Sequence, residues 1–165
     1  MIFVTIGSMF PFDRLIRAMD AWAAAQPEPA GPLLAQIGDG GYEPGHMRWV
    51  RSLVPGDYAR AVAEADLVVA HAGMGSVITA GEHGKPIVLL PRQVAKGEHT
   101  NDHQVDTARW LRTRPGIHVA DSEAALAERI AEALATGGAE TRLATTAPQA
   151  FLARIRGFAE GKPLG

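Results

Sequence analysis

Apolar runs and helically spaced stretches succeed one another along this chain in a regular order. Residues 2–6 (Ile-Phe-Val-Thr-Ile) are β-branched and aromatic, and predict a strand buried on both faces. Phe12, Leu15, Ile16, Met19, Trp22 and Ala23 then recur every three or four positions, which predicts a helix over about residues 12–25. Pro27, Pro29, Gly31 and Pro32 end it. Residues 33–37 and 47–54 read as the second and third strands, separated by Gly38-Asp39-Gly40-Gly41. Pro55-Gly56 turns the chain, and Asp57 is the expected N-cap of a short helix to Ala65.

The pattern is densest between Leu67 and Gln104. Leu67-Val68-Val69-Ala70 predicts a fourth strand, which passes directly into His71-Ala72-Gly73-Met74-Gly75-Ser76 and a helix ending at Gly84-Lys85-Pro86. Ile87-Val88-Leu89-Leu90 predicts a fifth, delivering Pro91-Arg92 and the polar run Glu98-His99-Thr100-Asn101-Asp102-His103-Gln104. Val105, Ala108 and Leu111 mark the next helix, and residues 117–119 a short sixth strand. Asp121 or Ser122 is the expected cap of a helix carrying Leu126, Ile130, Ala133 and Leu134, which stops at Gly137-Gly138. The tail, residues 147–159, is amphipathic: Phe151, Leu152, Ile155 and Phe158 share a face, with Pro148 in its first turn. No repeat, low-complexity tract or linker divides the chain.

Strands alternating with helices imply right-handed βαβ units. The expected fold is α/β, a Rossmann-like parallel sheet with helices on both faces, in a single domain over 1–165. Ligands in such sheets bind beyond the carboxyl ends of the strands, which is where both polar clusters fall.

Composition narrows the partners. The chain has 165 residues, 47% hydrophobic and 21% charged, a globular profile with enough material for a core. A net charge of -2 gives no broad attraction to nucleic acid or anionic membranes. Cysteine is absent, which excludes disulfides and thiolate metal sites and fits a cytoplasmic protein. The N-terminal apolar run lacks the length and basic flank of a signal peptide. No run approaches the roughly 20 apolar residues that span a bilayer, so membrane association is expected through a partner or an amphipathic surface.

In His71-Ala72-Gly73-Met74-Gly75-Ser76, two glycines let the backbone turn sharply and approach a ligand closely. The following helix aims its unpaired N–H groups and positive dipole end at the same spot, which suits a diphosphate, with Ser76 adding a hydroxyl. A plain strand-to-helix turn without a ligand fits this short motif equally well. The third glycine and the later acidic residue of a dinucleotide fingerprint are absent, and Gly84-Lys85 is followed by Pro86 rather than Ser or Thr, so neither an NAD site nor a Walker A loop is present.

The second cluster (Glu98, His99, Asn101, Asp102, His103 and Gln104) offers the mixed donors and acceptors that sugar hydroxyls require. Two rival readings are a solvated helix start capped by Asn and a metal site using His99 and His103, four residues apart; no third ligand accompanies the latter. Arg92 suits a phosphate, a carboxylate or a surface salt bridge on spacing alone. Gly7-Ser8 ends the first strand on the same edge and either lines a cleft or turns the chain.

Taken in order, Phe3-Val4-Thr5-Ile6-Gly7-Ser8, Ala65-Asp66-Leu67-Val68-Val69, His71-Ala72-Gly73-Met74-Gly75-Ser76, Gly84-Lys85-Pro86 and Asn101-Asp102-His103-Gln104 resemble the glycosyltransferase family 28 C-terminal domain over nearly the whole chain. That domain is the donor-binding half of B-type glycosyltransferases, which have two Rossmann-like halves. The chain is also similar to the soluble subunit of the two-component N-acetylglucosaminyltransferase of dolichol-linked glycan synthesis. It is more similar to the PssE-like small subunits of bacterial exopolysaccharide glycosyltransferases, which share the flavour of Gly73 to Ser76 and of Pro91-Arg92.

The resemblance implies a UDP-sugar as substrate, with no further cofactor and no metal. It places Gly73, Met74, Gly75 and Ser76 at the donor diphosphate and His103 with Gln104 at the sugar; by their own chemistry Arg92 is expected to join the diphosphate site, and Asn101 and Asp102 the sugar site. Gly7, Ser8, His71, Glu98 and His99 would line the cleft. Many members bind the ribose through a Glu whose position is Thr79 here; Glu82, one turn later, would take over part of that role. The implied partners are a membrane-associated acceptor-binding subunit and a lipid-linked sugar acceptor, and the implied location is the cytoplasmic face of the membrane. The length of one domain fits a split enzyme whose acceptor half, and catalytic base, lie elsewhere. No catalytic residue is assigned to this chain.

Overall fold

The computed structural model describes residues 1–26 and 31–136. Six strands, β1 (Ile2–Thr5), β2 (Leu33–Gln36), β3 (Arg48–Val50), β4 (Leu67–His71), β5 (Ile87–Leu90) and β6 (Ile117–Val119), form one sheet in the order β3-β2-β1-β4-β5-β6. Every pairing is parallel; Val4, for example, stands opposite Ala35 on one side and Val69 on the other. Among the described residues five α-helices accompany the sheet, the first four between strands and the last after β6: α1 (Asp13–Ala24), α2 (Pro55–Glu64), α3 (Met74–Glu82), α4 (His103–Leu111) and α5 (Leu126–Thr136).

Strand side chains alternate between two apolar layers. Ile2, Val4, Leu67, Val69, Val88 and Leu90 pack with Leu15, Ile16 and Met19 of α1 and with Leu126, Ile130 and Ala133 of α5. Phe3, Val68, Ala70, Ile87 and Leu89 face the other way, against Val62 of α2, Val77 and Ala80 of α3, and Ala108 and Leu111 of α4. The near-continuous apolar character of β1, β4 and β5 follows, since each is covered on both sides.

Several boundaries depart from the sequence expectation. The third strand covers only residues 48–50, because it is the sheet edge and pairs with β2 alone. Its ladder does continue to Arg51, whose carbonyl accepts from Gly38 N–H at 2.8 Å. Asp57 does not cap α2. Pro55 takes the first turn, where its missing N–H costs nothing, so Val54 is the N-cap and Asp57 sits inside the first turn. Neither Asp121 nor Ser122 caps α5: Asp121 pairs with Arg112, Ser122 makes no capping bond, and a 3-10 turn (Glu123–Ala125) leads into the helix. Gly84 ends α3 as expected. With φ +61° it completes a paired reverse turn, Gly84 N–H to Gly81 O at 3.1 Å and Lys85 N–H to Ala80 O at 2.9 Å. The proline break at Pro27 and Pro29, the helix stop at Gly137-Gly138 and the amphipathic tail lie outside the described residues.

Candidate functional site

The strand order reverses between β1 and β4, and a cleft of about 660 Å³ opens there, beyond their carboxyl ends. Its walls come from the turn after β1, from the end of β2, from the start of α2, from α3 and from the start of α4.

The β1 side is held rigid by short polar contacts. Thr5 Oγ1 donates to Gln36 Oε1 at 2.6 Å and accepts from Gly7 N–H at 3.2 Å, while Gln36 Nε2 donates to Gly7 O at 3.2 Å. Gly7 turns with φ +76°, a backbone that side-chain-bearing residues rarely adopt. The His71 ring wedges between this turn and the next. A Cβ on Gly7 would lie 2.6 Å from His71 Cε1, and one on Gly73 would overlap His71 Nε2. Burial, reinforced by the nearby Arg92 guanidinium, pulls the His71 pKa down to about 4 against the opposing pull of Thr5, so the ring is neutral at pH 7. Among the described residues its Nδ1 finds no hydrogen-bond partner.

Helix α3 begins at the next turn. Gly73 is its N-cap and no side chain caps it, so its first N–H groups remain open at the cleft. Gly75 lines the cleft, and a Cβ there would meet no protein atom within 4 Å. The two glycines therefore differ: protein packing requires Gly73, whereas Gly75 keeps the cavity itself clear. Ser76 Oγ accepts from the Tyr58 hydroxyl at 3.1 Å, and Thr79 Oγ1 donates back to Gly75 O at 3.0 Å. Glu82 and His83 close the far end, both exposed.

The segment from β5 to α4 is organised by arginines. Arg92 is 2% exposed, lies over the Phe12 ring at 4.9 Å, and donates through one terminal nitrogen to Ile6 O and Phe10 O, each at 2.7 Å. The surface salt bridge considered from sequence is thus excluded by burial. Gln104, 4% exposed, accepts from Arg92 N–H at 3.2 Å. Glu98 turns away from the cleft: Arg14 donates to its two oxygens at 2.5 and 2.8 Å, and Gln93 N–H donates to it at 3.0 Å. Asp102 accepts from Val94 N–H at 2.9 Å and Asn101 from His103 N–H at 3.3 Å. The His99 and His103 rings meet edge to face at 4.5 Å, but His99 lies before α4 rather than on its face.

Of the residues marked from sequence, Gly7, Ser8, His71, Gly73, Gly75, Ser76, Thr79, Glu82, Arg92, His99, His103 and Gln104 surround this one cleft. Met74, Glu98, Asn101 and Asp102 do not line it. Met74 points outward, and the other three serve the loop that carries their neighbours. Sequence reasoning missed Gln36, Leu53, Pro55 and Tyr58, which also form the wall. A polar residue closing the apolar strand Leu33-Leu34-Ala35 was a usable signal for Gln36; nothing local marked the others.

The model of the glycosyltransferase family 28 C-terminal domain matches residues 1–160. The chain belongs to that family. Over 58 residues it is 48% identical to the UDP-N-acetylglucosamine--N-acetylmuramyl-(pentapeptide) pyrophosphoryl-undecaprenol N-acetylglucosamine transferase of Nitratidesulfovibrio vulgaris (strain DP4), covering 35% of this chain and 15% of that protein. Among solved structures it is similar to the glycosyltransferase SnogD from Streptomyces nogalater, with TM-score 0.58 and 22% identity over 84% of this chain and 35% of that one. The spinosyn forosaminyltransferase SpnP is similar at TM-score 0.57 and 21% identity, over 98% of this chain and 40% of its own. These two likenesses are of fold. Each relative is matched over less than half its length. The matched family model is of a C-terminal domain, and the sheet order places the cleft at its switch point.

Proposed function

We propose that this chain is the donor-binding subunit of an inverting glycosyltransferase. It moves a hexose or hexuronic acid from a UDP-sugar to a lipid-linked sugar acceptor in cell-surface polysaccharide synthesis. The observation that carries this reading is the uncapped start of α3, opening with Gly75 into a cleft that His103 and Gln104 also line. Family membership and the partial match to a transferase whose name specifies UDP-N-acetylglucosamine and an undecaprenol-linked acceptor support it.

In this reading the acceptor hydroxyl attacks the anomeric carbon, the bond to the diphosphate oxygen breaks, and UDP leaves with the electron pair. The N–H groups at the start of α3 receive the diphosphate charge, with Gly73, Gly75 and Ser76 at the wall and Arg92 adding positive potential from beneath. His103 and Gln104 face the sugar, and Glu82, which has no partner among the described residues, accepts from the ribose hydroxyls beside Thr79. The acceptor proton passes to a base on a separate acceptor half, carried by a membrane-associated subunit. That subunit would hold this one at the cytoplasmic face of the membrane; no helix of the described residues is long and apolar enough to cross it.

Calorimetric titration with UDP, and a thermal-shift panel of UDP-glucose, UDP-glucuronate, UDP-galactose and UDP-N-acetylglucosamine, test the proposal. Saturable binding with one preferred sugar is expected. The second reading is a non-catalytic scaffold with a degenerate nucleotide site. It is favoured by Thr79, which stands where the family resemblance implies a ribose-binding Glu and which bonds its own helix. On that reading no UDP binds, and His103→Ala with Gln104→Ala leaves polysaccharide output in cells unchanged.

A further inference from the structure

Arg92 is the largest side chain in the fully buried set, yet no carboxylate among the described residues pairs with it. Glu98, the carboxylate nearest in effect, is committed to Arg14. A buried cation without a carboxylate partner is costly, so its contacts must offset that cost. The terminal nitrogen holds Ile6 O and Phe10 O, fixing the turn after β1, while its own backbone N–H holds Gln104 in the first turn of α4. The ring of Phe12 supports the guanidinium from α1's N-cap. One residue thus ties three segments, two of which bring Phe10, His103 and Gln104 to the cleft wall.

We infer that Arg92 is a positioning residue that sets the sugar end of the cleft, rather than a direct ligand of the diphosphate. The inference rests on the donor-binding reading for its consequence but not for its structural content. A lysine keeps the charge but presents a single ammonium on a flexible stem, without the planar fork that spans two carbonyls. Charge alone therefore cannot replace Arg92.

The test uses the full chain and Arg92→Lys. In the free protein, 15N relaxation should show Met9 and Phe10 ordered in the parent and falling below an order parameter of about 0.6 in the variant, with β4 unchanged. With ligands, the Kd for UDP should stay within about threefold, while the ratio of Kd for the tightest-binding UDP-sugar to that for UDP rises about tenfold. An unchanged loop order parameter overturns the inference whether or not any nucleotide binds. Loss of UDP affinity with loop order preserved also overturns it, and assigns Arg92 to the diphosphate directly. Equal weakening of UDP and UDP-sugar reduces it to a stability role and overturns it as well. Failure of the parent to bind UDP defeats the donor-binding reading alone, because the relaxation result still stands. Phe12→Leu removes the aromatic support and serves as the second variant if Arg92→Lys does not fold; the same ordering and the same ratio should move by a smaller factor.

Discussion

The two polar clusters that flank β5 behave differently. The turn at Gly73-Met74-Gly75-Ser76 has few polar side chains, yet it leaves its helix N–H groups open to the cleft. The segment from Glu98 to Gln104 is crowded with polar side chains, yet Glu98, Asn101 and Asp102 are committed to holding the loop itself. Only His99, His103 and Gln104 remain at the cleft, and Gln104 is tied to Arg92. Density of functional groups in a sequence therefore does not measure contact with a ligand. A long loop must satisfy its own backbone before it can offer anything outward.

The comparison can be broken most sharply at the loop. Arg14 and Glu98 are both largely buried as a forked pair, so Glu98→Ala should destabilise the fold by about 3 kcal/mol, read as a shift in denaturant midpoint. Almost as large is the effect expected at the turn. Gly75→Asp places a negative charge where a diphosphate would sit and should weaken UDP binding about 100-fold, roughly 2.7 kcal/mol, with little change in melting temperature. Gly73→Ala does the reverse: its Cβ overlaps His71, so it should lower stability.

Acid should act through a single buried group, with its effect spread over more than two pH units. His71 binds its proton in the unfolded chain near pH 6.5 but in the folded one only at about 4. Between those values the unfolded state holds more protons, so stability should fall as pH drops through that window, by at most about 1.4 kcal/mol per pH unit, and be unaffected by this group below it. Melting curves of the parent and of His71→Gln should diverge in slope only there. The smallest effect belongs to the loop residues that do not line the cleft. Asn101→Ala should leave UDP affinity within about threefold, whereas His103→Ala with Gln104→Ala should weaken UDP-sugar binding about tenfold.

Much of this fold was legible in the sequence, because strands covered on both faces read as unbroken apolar runs and Gly84 terminates its helix as glycine does. The edge strand and the helix starts were less so. β3 is covered too little to declare its length, and Pro55 took the first turn that Asp57 had been expected to cap. At the site, the glycine turn could be read from local geometry. The roles of Glu98 and Arg92 could not, since their partners Arg14, Ile6 and Phe10 lie 82 or more residues away along the chain. The split between Gly73 and Gly75 was equally hidden, for it depends on where the His71 ring packs.

The most direct test of the central claim is a calorimetric titration of UDP into the parent chain and into Gly75→Asp, side by side. The account predicts one saturable site in the parent, lost in the variant while its melting temperature is retained. No binding by the parent, or equal binding by both proteins, would contradict it.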